Sequence, residues 1–420
     1  MNRRKLFSEA RRCPAGLAAL LIALAVVVSG CGGGGGGGGE LIVMAQSVFG
    51  DSDETQPARL AILEPGALEE GGWKEIAVIE DPDSNVFHNA LPFEGANGDK
   101  GILTIAGDKA KLVLWMRSGD SFTPKVLGEW TFGGTFNRLR DIGVGDTDGD
   151  GVDEIVIATH DQGATLLIEQ EGGEYKAREL ARQHEFVHEI ELGDIDGDGE
   201  LEIFATPTAK NVTGKKEQPG DIVMFDHQPD GSYKTVIVEH FPGRHAKEIL
   251  FDVWNGEPVI FTALEGEGSL GGAVGGASSE IRMYRYKDGA FEGEDVYALP
   301  GKLCRFLNAG DTDGDGKREL IASTARNGIF TLYLKDDGSW ARKRIARGTH
   351  SAGFEHATIL LDLDGDGTLE VLAASDDDSI RKLQAFRYNK EKRTYDRIAV
   401  LSIEQSGFYW NLTVIPKGFH

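Results

Sequence analysis

Cysteine is nearly absent, with three in 420 residues at Cys13, Cys31 and Cys304, too few for a disulfide framework to hold a chain of this length. Basic residues are also in deficit. Lys and Arg number 44 against 68 Asp and Glu, a formal charge of −24, and a surface that acidic excludes a generic nucleic-acid binder. There is no nucleophile motif, no phosphate-cradling glycine loop and no Cys/His zinc spacing. The apolar run from Leu17 to Val28 falls short of the roughly 20 residues of a spanning helix. What remains is ample for folding: 40% hydrophobic and 27% charged residues, the balance of a globular chain. The length exceeds one ordinary core, so it implies several domains or a repeat array.

The N-terminus joins a basic segment (Arg3, Arg4, Lys5, Arg11, Arg12) to that short apolar run, the pattern of a signal peptide over 1–30. It ends in Val28-Ser29-Gly30-Cys31, which resembles the lipobox of bacterial lipoproteins. The resemblance implies that Cys31 is acylated and becomes the first residue of an outer-membrane lipoprotein, since Gly rather than Asp follows it. Gly32 to Gly39 then form an unbroken glycine run. Together with Cys31 it makes a tether over 31–40, with a reach on the order of 15 Å. Cleavage removes Cys13 and leaves Cys31 and Cys304, so no intrachain disulfide is expected even in an oxidising compartment.

Abundant acids and glycines have an address. Four segments repeat nearly letter for letter, each with acids at positions 1, 3, 5 and 9 and glycine at 4 and 6. The acids are Asp146, Asp148, Asp150 and Glu154; Asp194, Asp196, Asp198 and Glu202; Asp311, Asp313, Asp315 and Glu319; and Asp362, Asp364, Asp366 and Glu370. Such spacing converges oxygens on one hard cation, with a main-chain carbonyl expected from the seventh residue (Val152, Glu200, Lys317, Thr368). The ligand set suits Ca²⁺ better than Mg²⁺, and about four structural Ca²⁺ are expected. An EF-hand needs its last acid at position 12 and flanking helices. Here it falls at 9 and strand-like runs follow, such as Ile155-Val-Ile-Ala158 and Val371-Leu-Ala373.

These loops resemble the FG-GAP/VCBS repeats of integrin-type β-propellers, and the resemblance places each loop between the first and second strands of a blade. The expected fold is all-β. The same unit is traceable without its loop around Ile102-Leu-Thr-Ile-Ala106 and Pro258-Val-Ile-Phe-Thr262, which makes six blades between about 85 and 400. Tyr409 to Ile415 reads as a lone first strand, and runs beginning at Leu41, Arg59 and Ile76 supply three more. Joined, they close a seven-bladed propeller over 41–416, leaving no free sheet edge.

A second period lies six residues before the first Asp of each loop: Arg140, His188, Arg305 and His356. Apolar alternation in the other blades assigns His88, His245 and Trp410 to the same place. The innermost strands would carry these seven residues to the channel mouth opposite the metal loops, as a small basic ring. Arginine suits carboxylate or phosphate and tryptophan a sugar face. Histidine suits acid–base work or a transition metal such as Zn, Fe, Mn or Cu. Integrin-type repeats are commonly aromatic at this place; Phe186, Phe354 and Phe408 keep the leading Phe, but the following Gly is absent. Long connections in blades 3 and 4 (206–220, with Lys210, Lys215 and Lys216, and 265–279) are expected on the same face.

Three functions stay open. One is a membrane-anchored binding module for an anionic, carbohydrate-like or protein ligand. The second is a carbohydrate lyase or dehydratase in which His88, His188, His245 or His356 is catalytic; a His coupled to Gly-Asp-x-Asp-Gly-Asp-Gly resembles aldos-2-ulose dehydratase-like proteins. The third is a purely structural envelope protein.

Overall fold

The computed structural model describes residues 40–48, 56–107, 109–135, 137–209, 218–266, 278–301, 303–325, 327–346, 356–375, 381–404 and 407–419. The signal-peptide and Cys31 tether segments, Phe354, and the middles of both long connections lie outside them.

Among the described residues, twenty-eight strands form seven four-stranded antiparallel sheets. Blade 1 runs Phe87–Glu94, Lys100–Ala106, Ala110–Ser118 and Ser121–Trp130. Blade 2 follows with Leu139–Gly145, Glu154–Thr159, Ala164–Glu171 and Glu174–Arg182, and blade 3 with Phe186–Gly193, Glu202–Thr208, Gly220–His227 and Tyr233–Phe241. Ala246–Trp254, Glu257–Leu264, Ser278–Lys287 and Ala290–Pro300 make blade 4. Blade 5 is Cys304–Gly310, Glu319–Thr324, Gly328–Leu334 and Trp340–Arg344; blade 6 is His356–Leu361, Glu370–Ser375, Lys382–Asn389 and Thr394–Ser402. The seventh blade pairs Gly407–Pro416 with Glu40–Val48, followed by Ala58–Glu64 and Lys74–Asp81, the two-ended closure that the terminal runs predict.

Burial explains the composition of each strand position. Second strands such as Glu154–Thr159 are buried throughout and read as continuous apolar runs. Outer strands such as Glu174–Arg182 alternate between exposed and half-buried, because one face meets water. The core is divided into seven apolar layers, one between each neighbouring pair of blades: Leu91 and Leu103 pack with Leu139 and Ile157 between blades 1 and 2, while Leu41 and Leu60 pack with Phe87 and Ile102 across the closing seam. No blade buries its faces alone, so the ring is the folding unit.

The acidic segments are the inner hairpin turns of blades 2, 3, 5 and 6. Their paired glycines have φ of 74° and 86° at Gly149 and Gly151 and 71° and 82° at Gly314 and Gly316, the left-handed region that side chains resist. Blade 4 has a short inner turn in place of an acidic loop. Trp254 pairs with Glu257 across Asn255 and Gly256, both at positive φ, a two-residue Asn-Gly hairpin.

Candidate functional site

In each acidic loop the first aspartate shapes the turn. Asp146 Oδ1 accepts from Gly149 N–H at 2.8 Å and its Oδ2 from Gly151 N–H at 2.9 Å; Asp194, Asp311 and Asp362 repeat both bonds. The closing glutamate is fixed through one oxygen, since Glu154 Oε2 accepts from Thr147 N–H (2.8 Å) and Oγ1–H (2.9 Å), as Glu319 Oε2 does from Thr312. Carboxylate oxygens of Asp146, Asp148 and Glu154, of Asp194, Asp196 and Glu202, of Asp311, Asp313, Asp315 and Glu319, and of Asp362, Asp364 and Glu370 lie within 4.8 Å of one another. Burial raises Glu154, Glu319 and Glu370 to about 7 and Glu202 to about 8. Glu370 Oε1 and Asp313 Oδ1 are buried without a hydrogen-bond partner. Clustered carboxylates, costly to bury and with orphaned oxygens, fit a hard cation.

The fifth position departs from the expected ligand set. Only Asp315 joins its cluster, although in all four loops the fifth aspartate accepts N–H from the seventh residue, Val152, Glu200, Lys317 or Thr368, at 2.8–2.9 Å. The loops also touch in pairs: Leu201 N–H donates to the Asp146 carbonyl at 3.3 Å and Leu369 N–H to that of Asp311 at 2.9 Å. Where the acidic repeat is lost, a cationic side chain pairs with the remaining carboxylate. Lys125 pairs with Asp99 in blade 1, and Arg318 holds Asp252 of blade 4 through two bonds of 2.9 and 2.7 Å.

At the opposite end of the inner strands, a β-bulge marks the ring. The cross-strand register skips Arg140, Lys247, Arg305 and Trp410, and sets the pairs His88–Asn89 and His188–Glu189 against one residue each. A bulge inserts a residue and re-aims its side chain, and His88, Arg140, Arg305 and Trp410 reach the channel from these positions. His245 is the exception and a correction. It lies two residues before the bulge, and Lys247 holds blade 4's place in the ring. The apolar alternation survives a two-residue slip unchanged, so it assigned the wrong residue. His356 opens the inner strand of blade 6 opposite Ser375; its side chain lies outside the described residues.

His88, Arg140, Arg305 and Trp410 line the channel. The His88 ring meets Trp410 edge-on at 4.8 Å and donates from Nδ1 to the Leu139 carbonyl at 2.8 Å. Trp410 Nε1–H donates to Ser47 Oγ at 2.8 Å, and the Arg140 guanidinium stands 5.9 Å from the Trp410 ring. His188 and His245 are withdrawn, 3% and 0% exposed, with rings 5.3 Å apart. Lys247 Nζ donates to His188 Nε2 at 2.9 Å, and Glu265 Oε2 lies 2.7 Å from His245 Nε2 and 3.7 Å from Lys247 Nζ. Burial holds His88 and His188 well below the usual histidine range and brings Lys247 down to about 7. Among the described residues, the metal-competent groupings are the four loops and include no histidine.

One residue further along each strand is a layer that the sequence did not reveal. Asn89, Asp141, Glu189, Glu248, Phe306 and Asn411 line the channel directly below the ring. Asn411 donates to Asn89 at 2.6 Å and Asn89 to Asp141 at 2.9 Å. Asp141 Oδ2 then accepts from Ile190 N–H of the next blade at 2.8 Å, as Glu248 does from Leu307 N–H at 3.3 Å. Glu189 faces Arg140 at 3.4 Å, and burial raises its carboxyl to about 8. The channel is therefore not simply basic. Arginines at the mouth stand over carboxyl groups, an arrangement for ligands that carry both an acid and hydrogen-bonding hydroxyls. The signal was present as an acid following Arg140, His188 and Lys247, but it required the bulge to bring both residues of each pair to the axis.

A family model described as FG-GAP-like repeat matches residues 146–205 and 311–373, and each match spans two consecutive acidic loops. No curated protein matches the chain. Among solved structures it is similar to a putative 6-phosphogluconolactonase from Bacteroides uniformis, at 14% identity over 90% of this chain and 99% of that one, with a TM-score of 0.57. It is also similar to a periplasmic gluconolactonase from Pseudomonas aeruginosa, at 11% identity over 89% and 99% of the two chains with a TM-score of 0.53, and to a hypothetical selenium-binding protein from Sulfolobus tokodaii, at 12% identity over 91% and 94% with a TM-score of 0.53. At these identities the likeness is one of fold. The chain carries FG-GAP-like repeats on a seven-bladed β-propeller.

Proposed function

We propose that this FG-GAP-repeat propeller is a lipid-anchored envelope protein, fastened by calcium in its four acidic loops, that binds a sugar-acid-like ligand at the central channel mouth. The observation that carries the reading is that Arg140 and Arg305 line one channel with the carboxyls Glu189 and Glu248 and the Trp410 ring, with Arg140 facing Glu189 at 3.4 Å. Guanidinium groups take a carboxylate through paired bonds, the carboxyls take hydroxyls, and an indole covers an apolar sugar face. Oxygen-only ligands, rather than imidazole or thiolate, favour Ca²⁺ in the loops, and anchoring rests on the sequence around Cys31. Calorimetric titration with uronic and aldonic acids tests the ligand, with neutral sugars as controls. Binding of the acids that is lost in Arg140→Ala/Arg305→Ala supports it; no acid bound by the parent protein sinks it.

A second reading is catalytic. Burial shifts Glu189, which lines the channel, to about 8 and Lys247, buried between the inner strands of blades 3 and 4, to about 7, and such shifts cluster at functional sites. The two gluconolactonase names above make sugar-acid lactones a natural probe. Turnover abolished by Glu189→Gln would favour this reading over simple binding.

A further inference from the structure

The first residues of the outer strands carry a third periodicity, and it reaches the metal loops. In blades 2 to 6 an aromatic side chain at the first or second residue of the outer strand, and in blade 7 Trp73 just before it, lies against the inner hairpin turn of the preceding blade. Tyr175 donates to Asp99 of blade 1 at 3.1 Å, Phe291 packs in one cluster with Ile195 of blade 3, and Trp340 lies 5.5 Å from Trp254 of blade 4. The chemistry of the two partners is matched. Where the second loop position is Ile195 or Leu363, the aromatic is Phe291 or Trp73. Where it is Thr147 or Thr312, the aromatic is Tyr233 or Tyr395.

In those two places the tyrosine is wired to a metal-loop glutamate. Tyr233 Oη lies 2.7 Å from Thr147 Oγ1, which is 2.9 Å from Glu154 Oε2. Tyr395 Oη lies 2.8 Å from Thr312 Oγ1, which is 2.9 Å from Glu319 Oε2. A threonine has one hydroxyl proton and a carboxylate has none, so threonine donates to glutamate and tyrosine to the threonine hydroxyl; Tyr233 Oη also reaches the Thr147 carbonyl at 3.2 Å and Tyr395 Oη the Thr331 hydroxyl at 3.3 Å. We infer that Tyr233 and Tyr395 are positioning residues for cation binding, each supplied by one blade to set the glutamate of the blade before it. With Oε2 held by this relay and by the main chain, rotation of the carboxylate is restricted and the cation meets a pre-set ligand. The loops of blades 3 and 6 have no such hydroxyl pair, so the four sites fall into two classes, one of each within every loop pair. The inference rests on the proposed calcium occupancy of the loops.

The test is calorimetric titration of CaCl₂ into the chelator-stripped mature chain, parent against Tyr395→Phe and Tyr233→Phe. Phenylalanine keeps the ring and its packing, so each variant should weaken one site about five-fold, the equivalent of one hydrogen bond, and leave the other three unchanged. Thr312→Val should produce the same loss, and Thr312→Val/Tyr395→Phe no further loss, because both interrupt one relay. Melting in excess chelator should fall by only about 2 °C in Tyr395→Phe, the loss of one hydrogen bond in a chain of this length. An unchanged isotherm in Tyr395→Phe while the parent takes up calcium would overturn this inference alone. No calcium uptake by the parent would overturn it together with the proposed occupancy.

Discussion

Lys247 Nζ donates to His188 Nε2 across 2.9 Å, between the inner strands of blades 3 and 4. Both side chains are buried, and the Lys247 amine is drawn toward its charged form by Glu265 and Glu189 and pushed from it by Arg305 and Arg140. Burial leads among these influences and lowers the amine to about 7, below its unfolded value near 10.5. The unfolded chain therefore binds more protons between those two pH values, and this group's contribution to stability rises with pH there.

Lys247→Met should accordingly be more stable than the parent at pH 6, where the parent must bury a charge. The gain is on the order of a few kcal/mol and should shrink steadily from about pH 7 toward pH 10. Urea unfolding of both proteins across that range measures the difference. A gap that does not depend on pH would show that Lys247 is charged throughout.

Chelation should reveal how the ring is held. Four occupied sites, each stabilising the folded state by mass action, should raise the melting temperature by roughly 10 °C or more over the stripped protein at saturating calcium. Scanning calorimetry with and without chelator decides it, and coincident melts would assign the loops no fastening role. Elemental analysis of the purified protein identifies the ion.

Arg318 bridges blade 5 to the buried Asp252 of blade 4. Arg318→Ala leaves that carboxylate without its charge partner and should cost about 2 kcal/mol. Arg318→Lys should recover little, because an ammonium cannot reproduce the two-pronged contact. Unfolding at saturating calcium separates this loss from any effect on the neighbouring metal loop.

At the channel mouth, Arg140→Ala and Arg305→Ala should each weaken sugar-acid binding about tenfold, the cost of a charge-assisted bond. Trp410→Ala should weaken neutral and acidic ligands alike, since it removes a surface and not a charge. Equal losses for all three variants against all ligands would argue for a distorted mouth and against assigned contacts.

The acidic repeat was legible because one loop chemistry recurs four times with paired glycines, and each recurrence implies a hairpin between an inner and a second strand. Blade count and two-ended closure followed from counting strand-like runs between those turns. The offset to Arg140, His188 and Arg305 was legible for the same reason, being a constant distance from a fixed landmark. It failed at His245, where blade 4 has lost the acidic loop that served as landmark.

Sequence alone thus determined the repeat, the ring and the positions of the acidic loops, all of which depend on short-range spacing along the chain. Tertiary structure decided which residue of each inner strand faces the axis, because a bulge changes facing without changing composition. It also brought Asp141 beneath Asn89, withdrew His188 and His245 behind Lys247, and set Tyr395 against Thr312. Those pairs are separated by dozens of residues, and only closure of seven blades into a ring brings them within hydrogen-bonding distance.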